Sequence, residues 1–159
     1  MPKDFTIRLA TIKDAKAVHE VLLAAFAEYT CFYSAEGFAD TVLSEERAKD
    51  RIKEMKVYVA IDQHGKIIGT IGWQKLNENE GHIRGMGVIP IQQGKDSPAI
   101  SLLRQVERDA QLEGCKILTL DTTEILKRAQ NFYEKNGFQK TGKIGDFFGS
   151  IIYEFAKTL

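Results

Sequence analysis

One strand–helix–strand unit set into a run of hairpins restricts this chain more than any other feature of its sequence. Val57-Tyr58-Val59-Ala60-Ile61 and Ile67-Ile68-Gly69-Thr70-Ile71-Gly72-Trp73 are strand-like runs joined by the turn Gln63-His64-Gly65-Lys66, and His82 to Ile89 follows the polar turn Asn77-Glu78-Asn79-Glu80-Gly81. Turns that short join antiparallel neighbours. The next strand, Ile117-Leu118-Thr119-Leu120, is reached only through a helical pattern, in which Ile100, Leu103, Val106, Ala110 and Leu112 recur from Pro98 to Glu113 before Gly114 ends it. A right-handed crossover of this kind sets the strand ending at Val88 parallel to the strand at Ile117. The pattern therefore predicts one βαβ unit inside an otherwise antiparallel sheet.

The flanks extend that frame. Phe5-Thr6-Ile7-Arg8-Leu9 alternates apolar and polar as a half-buried strand does, and Thr11 with Asp14 resembles a capping box opening a helix from Ile12 to about Tyr29. Thr30 to Ser44 is aromatic-rich, broken by Gly37, and reads as loop or short turns; Ser44 then caps a second helix through Ala48, Ile52 and Met55. Leu126 to Glu134 is helical, ends at Asn136-Gly137, and is followed by strands at Phe138–Thr141 and Ser150–Phe155 around the loop Gly142 to Gly149. The order is β-α-α-β-β-β-α-β-α-β-β, an α/β fold with a mixed, mostly antiparallel sheet of about seven strands and helices on both faces. With no repeat, linker or low-complexity run, the 159 residues read as a single domain, 1–159.

Charge and cysteine usage exclude several function classes. Twenty-two basic residues balance twenty-two acidic ones, so no global field draws the chain to nucleic acid or an anionic membrane. No apolar run approaches a membrane span, and Met1 to Leu9 lacks a charged segment leading into one, which makes the cytoplasm the expected compartment. Cys31 and Cys115 have no CxxC spacing and only His19, His64 and His82 for company, so no metal site is expected. Both read as reduced thiols, Cys115 as a small buried hydrophobe.

The connection from Val88 into the helix at Pro98 carries the first hint of chemistry. Backbone N–H groups of a turn and of a first helical turn converge on one space, and that space suits a phosphate. Gly94 permits the tight turn, and Pro98 fits the first helical position because the N–H it lacks has no intrahelical partner there. A purely structural strand-to-helix turn has the same composition. A second segment, Ala129-Gln130-Asn131-Phe132-Tyr133-Glu134-Lys135-Asn136-Gly137-Phe138, places two adjacent aromatics on a helix, one for the core and one for a cleft. Tyr133 reads equally as a rim aromatic with its hydroxyl bonded to backbone.

Together these segments resemble the GNAT acetyltransferase superfamily. Val88-Ile89-Pro90-Ile91-Gln92-Gln93-Gly94-Lys95-Asp96-Ser97-Pro98 is similar to its pyrophosphate loop, V-x-P-x-x-[QR]-G-x-G-x-[GA], and residues 129–138 to its A-x-x-[FL]-Y-x-x-x-G-F signature with spacing intact. Asp96 stands where the family usually has its second glycine, Pro98 where it has glycine or alanine, and Leu126 where it has asparagine. A carboxylate at position 96 costs on the order of 1 kcal/mol per close charge pair beside a pyrophosphate.

The resemblance implies an N-acetyltransferase that moves an acetyl group directly from acetyl-CoA to a primary amine of a small molecule or peptide. Acetyl-CoA then lies on Gln93, Gly94, Lys95, Asp96, Ser97, Pro98 and Ala99 and along the backbone of Met86, Gly87 and Val88, where its amides add like a strand. Tyr133 is implied as the general acid, since a phenol of pKa about 10 can donate to a leaving thiolate of pKa about 8.5. His82, six residues before Val88, is the implied base, with Glu80 and Glu124 as second choices. A CoA-binding or interaction module without turnover stays open because of Asp96, Pro98 and Leu126. Phe32, Tyr33, Phe38, Phe147 and Phe148 are expected to flank the acceptor side, and serve equally as core packing or a homodimer contact.

Overall fold

The computed structural model describes residues 4–92 and 97–159. Gln93, Gly94, Lys95 and Asp96, four of the residues expected to hold acetyl-CoA, lie outside the described residues. Seven strands form one sheet: β1 (Phe5–Leu9), β2 (Lys56–Asp62), β3 (Ile67–Lys75), β4 (Glu80–Val88), β5 (Ile117–Thr123), β6 (Gln139–Phe147) and β7 (Ser150–Thr158). Their order across the sheet is β1-β2-β3-β4-β5-β7-β6, and β4 with β5 is the one parallel pair. The helices are α1 (Ala15–Phe26), α2 (Ala35–Thr41), α3 (Glu45–Glu54), α4 (Pro98–Leu112) and α5 (Lys127–Lys135).

Strand alternation sends side chains to two apolar layers. Tyr58, Ile68, Trp73, Ile83, Leu118 and Phe155 meet Leu102, Leu103 and Val106 of α4 and Tyr133 and Phe138 beside α5. Val59 joins Val18 and Leu22 of α1 and Ala48 of α3 on the opposite face. The helices thus cover both faces, as the periodicities predict. Cys115 is buried in the first layer, where desolvation pushes its thiol up, in keeping with the packing role.

Two segments differ from expectation. Part of the stretch read as loop between Thr30 and Ser44 is helix α2, started by the Ser34 hydroxyl accepting from Gly37 N–H at 3.1 Å. The final hairpin is much longer than predicted: β6 and β7 run to a two-residue turn, Phe148 (φ 50°) and Gly149 (φ 93°), both in the left-handed region that such turns require. Ser34 Oγ donates to the Phe148 carbonyl at 3.1 Å, docking this hairpin tip on the start of α2.

Candidate active site

Between β4 and β5 the sheet opens. The two strands pair only at Glu80–His82 against Ile117–Thr119. Past that point β5 continues beside β7, whereas β4 shifts register against β3 between Thr70 and Gly72 and carries Gly85 at φ 68°. A bulge with a left-handed glycine bends its strand. The β5-facing edge of β4 at Met86 and Gly87 therefore has no strand beside it among the described residues. A cleft of about 890 Å³ fills the gap, and His82, Met86, Leu126 and Tyr133 all line it.

His82 is held by a chain of hydrogen bonds. Thr119 Oγ1 lies 2.8 Å from His82 Nδ1 and 2.8 Å from Glu80 Oε2, with the Gly81 carbonyl at 3.5 Å. A hydroxyl has one proton to give. The carboxylate and the carbonyl both need that proton, so His82 Nδ1 carries a hydrogen and donates to Thr119. In the neutral ring the lone pair then sits on Nε2, which looks toward Asp121 Oδ2 at 3.6 Å. Burial pulls the imidazole below its usual value, opposed by Asp121 and reinforced by Arg84. The balance favours the neutral ring, whose Nε2 lone pair makes no hydrogen bond among the described residues.

Tyr133 is buried, its ring edge-on to Phe132 at 5.4 Å and to Phe138 at 5.7 Å. Among the described residues its hydroxyl bonds no backbone group; it points at Met86 Sδ, 3.3 Å away. A thioether is a weak acceptor. The phenol is pushed well above its usual range by burial, so it stays protonated and keeps a hydrogen bond to give. A further polar group is unspent: Thr122 Oγ1 on β5 is buried without a hydrogen-bond partner, and Thr122 lines the cleft. Leaving such a hydroxyl unpaired costs about 1–3 kcal/mol.

The remaining expected residues fall in different places. Gly87 faces away from the cleft, where a Cβ would lie 3.2 Å from Leu22 and 3.3 Å from Ala25 of α1. Val88 belongs to the core. Ser97 caps α4 through its hydroxyl, which accepts from Ala99 N–H at 3.1 Å, with Pro98 in the first turn. Glu80 lines the cleft, while Glu124 takes a hydrogen bond from the Tyr153 hydroxyl at 3.4 Å and lies outside the lining. Of the aromatics, Tyr33 and Phe147 both reach the cleft and meet edge-on at 6.1 Å, and Tyr33 Oη bonds Thr123 Oγ1 at 2.7 Å. Phe38 packs on the second core, and Phe32 and Phe148 are exposed. Residues 29–42 and 142–149 are thus brought together, through Tyr33 with Phe147 and Ser34 with Phe148.

Sequence reasoning missed Thr119, Thr122 and Arg51. Threonines in a strand carry no signal beyond β propensity. Arg51, on α3, has the appearance of a solvated helical residue, yet it lines the cleft beside Gly85. Among the described residues no cluster of histidine, cysteine, aspartate or glutamate is arranged to hold a metal ion, and no helix is long and apolar enough to cross a membrane.

Solved structures share this architecture. The PaiA N-acetyltransferase of Thermoplasma acidophilum, in complex with coenzyme A, superposes with a TM-score of 0.79 at 21% identity over 98% of this chain and 99% of its own. A GNAT family acetyltransferase of Staphylococcus aureus Mu50 gives 0.78 at 21% identity over 98% and 99%. One from Elizabethkingia anophelis with acetyl-CoA bound gives 0.72 at 17% identity over 99% and 100%. At such identities the likeness speaks for the fold. No curated protein matches the chain by sequence. The family itself is established by the sequence: residues 19–138 match the Acetyltransferase (GNAT) family, and the protein is a member of it.

Proposed function

We propose that the protein transfers an acetyl group from acetyl-CoA directly to a primary amine. The observation that carries this reading is the pair of unspent groups in one cleft, the Nε2 lone pair of His82 and the hydroxyl of Tyr133. Acetyl-CoA supplies the activated acyl group as a thioester. His82 Nε2 accepts the proton that the amine must lose as it attacks, and Asp121 steadies the imidazolium that results. Tyr133 donates to the departing sulfur, taking over the hydrogen bond now given to Met86. The open edge of β4 at Met86 and Gly87 offers hydrogen bonds to the amides of the pantetheine arm. The start of α4, capped by Ser97, is where the pyrophosphate would lie, with Gln93 to Asp96 before it.

Calorimetric titration with acetyl-CoA, with ATP as control, tests the reading. Micromolar binding of acetyl-CoA and none of ATP, followed by amine-dependent release of CoA, is the expected result. Absence of acetyl-CoA binding at millimolar ligand would defeat it, and binding with no transfer to any amine would leave a CoA-binding module in its place.

A further inference from the structure

The lining of the cleft changes sign along β4. Glu80, Asp121 and Glu154, the last partly offset by Lys143 at 3.9 Å, stand around His82, whereas Arg84, two residues on and on the same side of the strand, begins a cationic patch that Arg51 extends from α3. Asp40 of α2 serves two of the arginines at once, Arg84 at 3.6 Å and Arg47 at 3.3 Å. Arg51 ion-pairs with no carboxylate among the described residues. Its guanidinium lies against the bulge, where Nη1 occupies the space a Cβ on Gly85 would take. A glycine at that position is what lets the side chain in.

Such a group is costly as it stands. Burial first, and then the nearby Arg84, pull Arg51 down to about 10, so it remains charged at pH 7 with part of its hydration removed. A planar guanidinium matches a carboxylate with two parallel hydrogen bonds, and the match strengthens where water is excluded. If Arg51 were there only to hold α3 on the sheet, its donors would find acceptors in β4 or α3, and they find none among the described residues.

We propose that Arg51, assisted by Arg84, binds an anionic group of the acceptor, so that the acceptor is an amine that also bears a carboxylate, an amino acid or a molecule that ends as one. This rests on the acyl-transfer reading given above. The charge pattern orients such a molecule: its ammonium goes to the side of His82, Asp121 and Glu154, and its carboxylate to the side of Arg51. A simple alkylamine or a polyamine satisfies only the first half.

A matched acceptor panel tests the proposal. CoA release is followed at fixed acetyl-CoA with the free amino acids, their carboxamides and plain alkylamines, on the wild-type chain, Arg51→Gln and Arg51→Lys. At least one free acid is expected to exceed its carboxamide at least tenfold in kcat/KM. Arg51→Gln closes that gap by lowering the rate with the acid, and Arg51→Lys keeps part of it, while calorimetric affinity for acetyl-CoA certifies that each variant is folded. The proposal is overturned if carboxamides or alkylamines match the acids on the wild-type chain, if no acid is accepted by protein that binds acetyl-CoA, or if Arg51→Gln leaves the gap intact. Failure to bind acetyl-CoA would overturn the acyl-transfer reading and this one with it, and the calorimetric control separates that outcome from the others.

Discussion

Thr119 hands its one hydroxyl proton away from His82, to Glu80 at 2.8 Å, and so fixes which nitrogen of the imidazole is free. Thr119→Val removes the acceptor for the Nδ1–H and leaves that group without a partner in a half-buried site. The variant is expected to fold but to lose about tenfold in kcat/KM, with Thr119→Ser restoring most of it. Removing the proposed base, His82→Gln, should cost about a hundredfold or more. Steady-state rates on the four proteins check both statements, and equal activity of Thr119→Val and wild type would disprove the tautomer argument.

The pH profile has a definite sign. In the proposed reaction His82 acts when unprotonated, and burial holds it below the usual histidine value of 6.5. Activity is therefore complete at neutral pH and falls only as pH drops through the lowered value, so the acidic limb of kcat/KM lies under pH 6.5. In His82→Gln that limb disappears. A limb centred above 7 would assign the base elsewhere.

Tyr133→Phe separates chemistry from packing. Among the described residues the hydroxyl bonds only a thioether, so its loss should leave the melting temperature nearly unchanged and the acetyl-CoA affinity within about twofold. The turnover number should fall at least tenfold if Tyr133 is the donor to the departing sulfur, as proposed. Calorimetry and single-turnover rates distinguish this from a variant that merely repacks the core.

Far from the cleft, Asp14 tests the stability of the β1–α1 junction. Its carboxyl is held below the usual value of 3.8, first by hydrogen bonds from Arg8, the shorter at 2.7 Å, against the penalty of burial, and then by the Thr11 N–H. Because the folded value is depressed, its contribution is present above pH 3.8 and is lost as pH falls through the lower folded value. Asp14→Asn should destabilise the fold by about 1 kcal/mol at pH 7, a modest figure because Arg8 is half exposed, and the difference should shrink on acidification below pH about 4. Urea titrations at pH 7 and pH 3 measure it.

Much of the architecture was legible because it is written in spacing. The crossover helix shows its period from Pro98 to Leu112 and stops at Gly114, and the hairpins show theirs between turn residues. The second half of β6 was not legible. It is exposed on both sides as an edge strand, so Gly142-Lys143-Ile144-Gly145 carries no alternation, and its order comes from the ladder to β7. Helix α2 was hidden by Gly37, although Ser34 three residues earlier was a cap signal. In the cleft lining, His82 and Tyr133 had been singled out from the sequence through the resemblance, whereas Thr119 and Arg51 meet the cleft residues only when β5 and α3 are set against β4. The bulge at Gly85 escaped for the same reason: one glycine in a strand does not say which way the strand bends.

Three residue pairs between β4 and β5 are the whole seam of the sheet. On one side of it lies a plate of four strands, β1 to β4, and on the other a plate of three, β5, β7 and β6. Beneath them a shared apolar layer runs from Tyr58 to Phe155 and keeps the plates from parting. A ligand spanning the gap above that layer would also be a strut between the plates, joining four strands to three where only three residue pairs now do so.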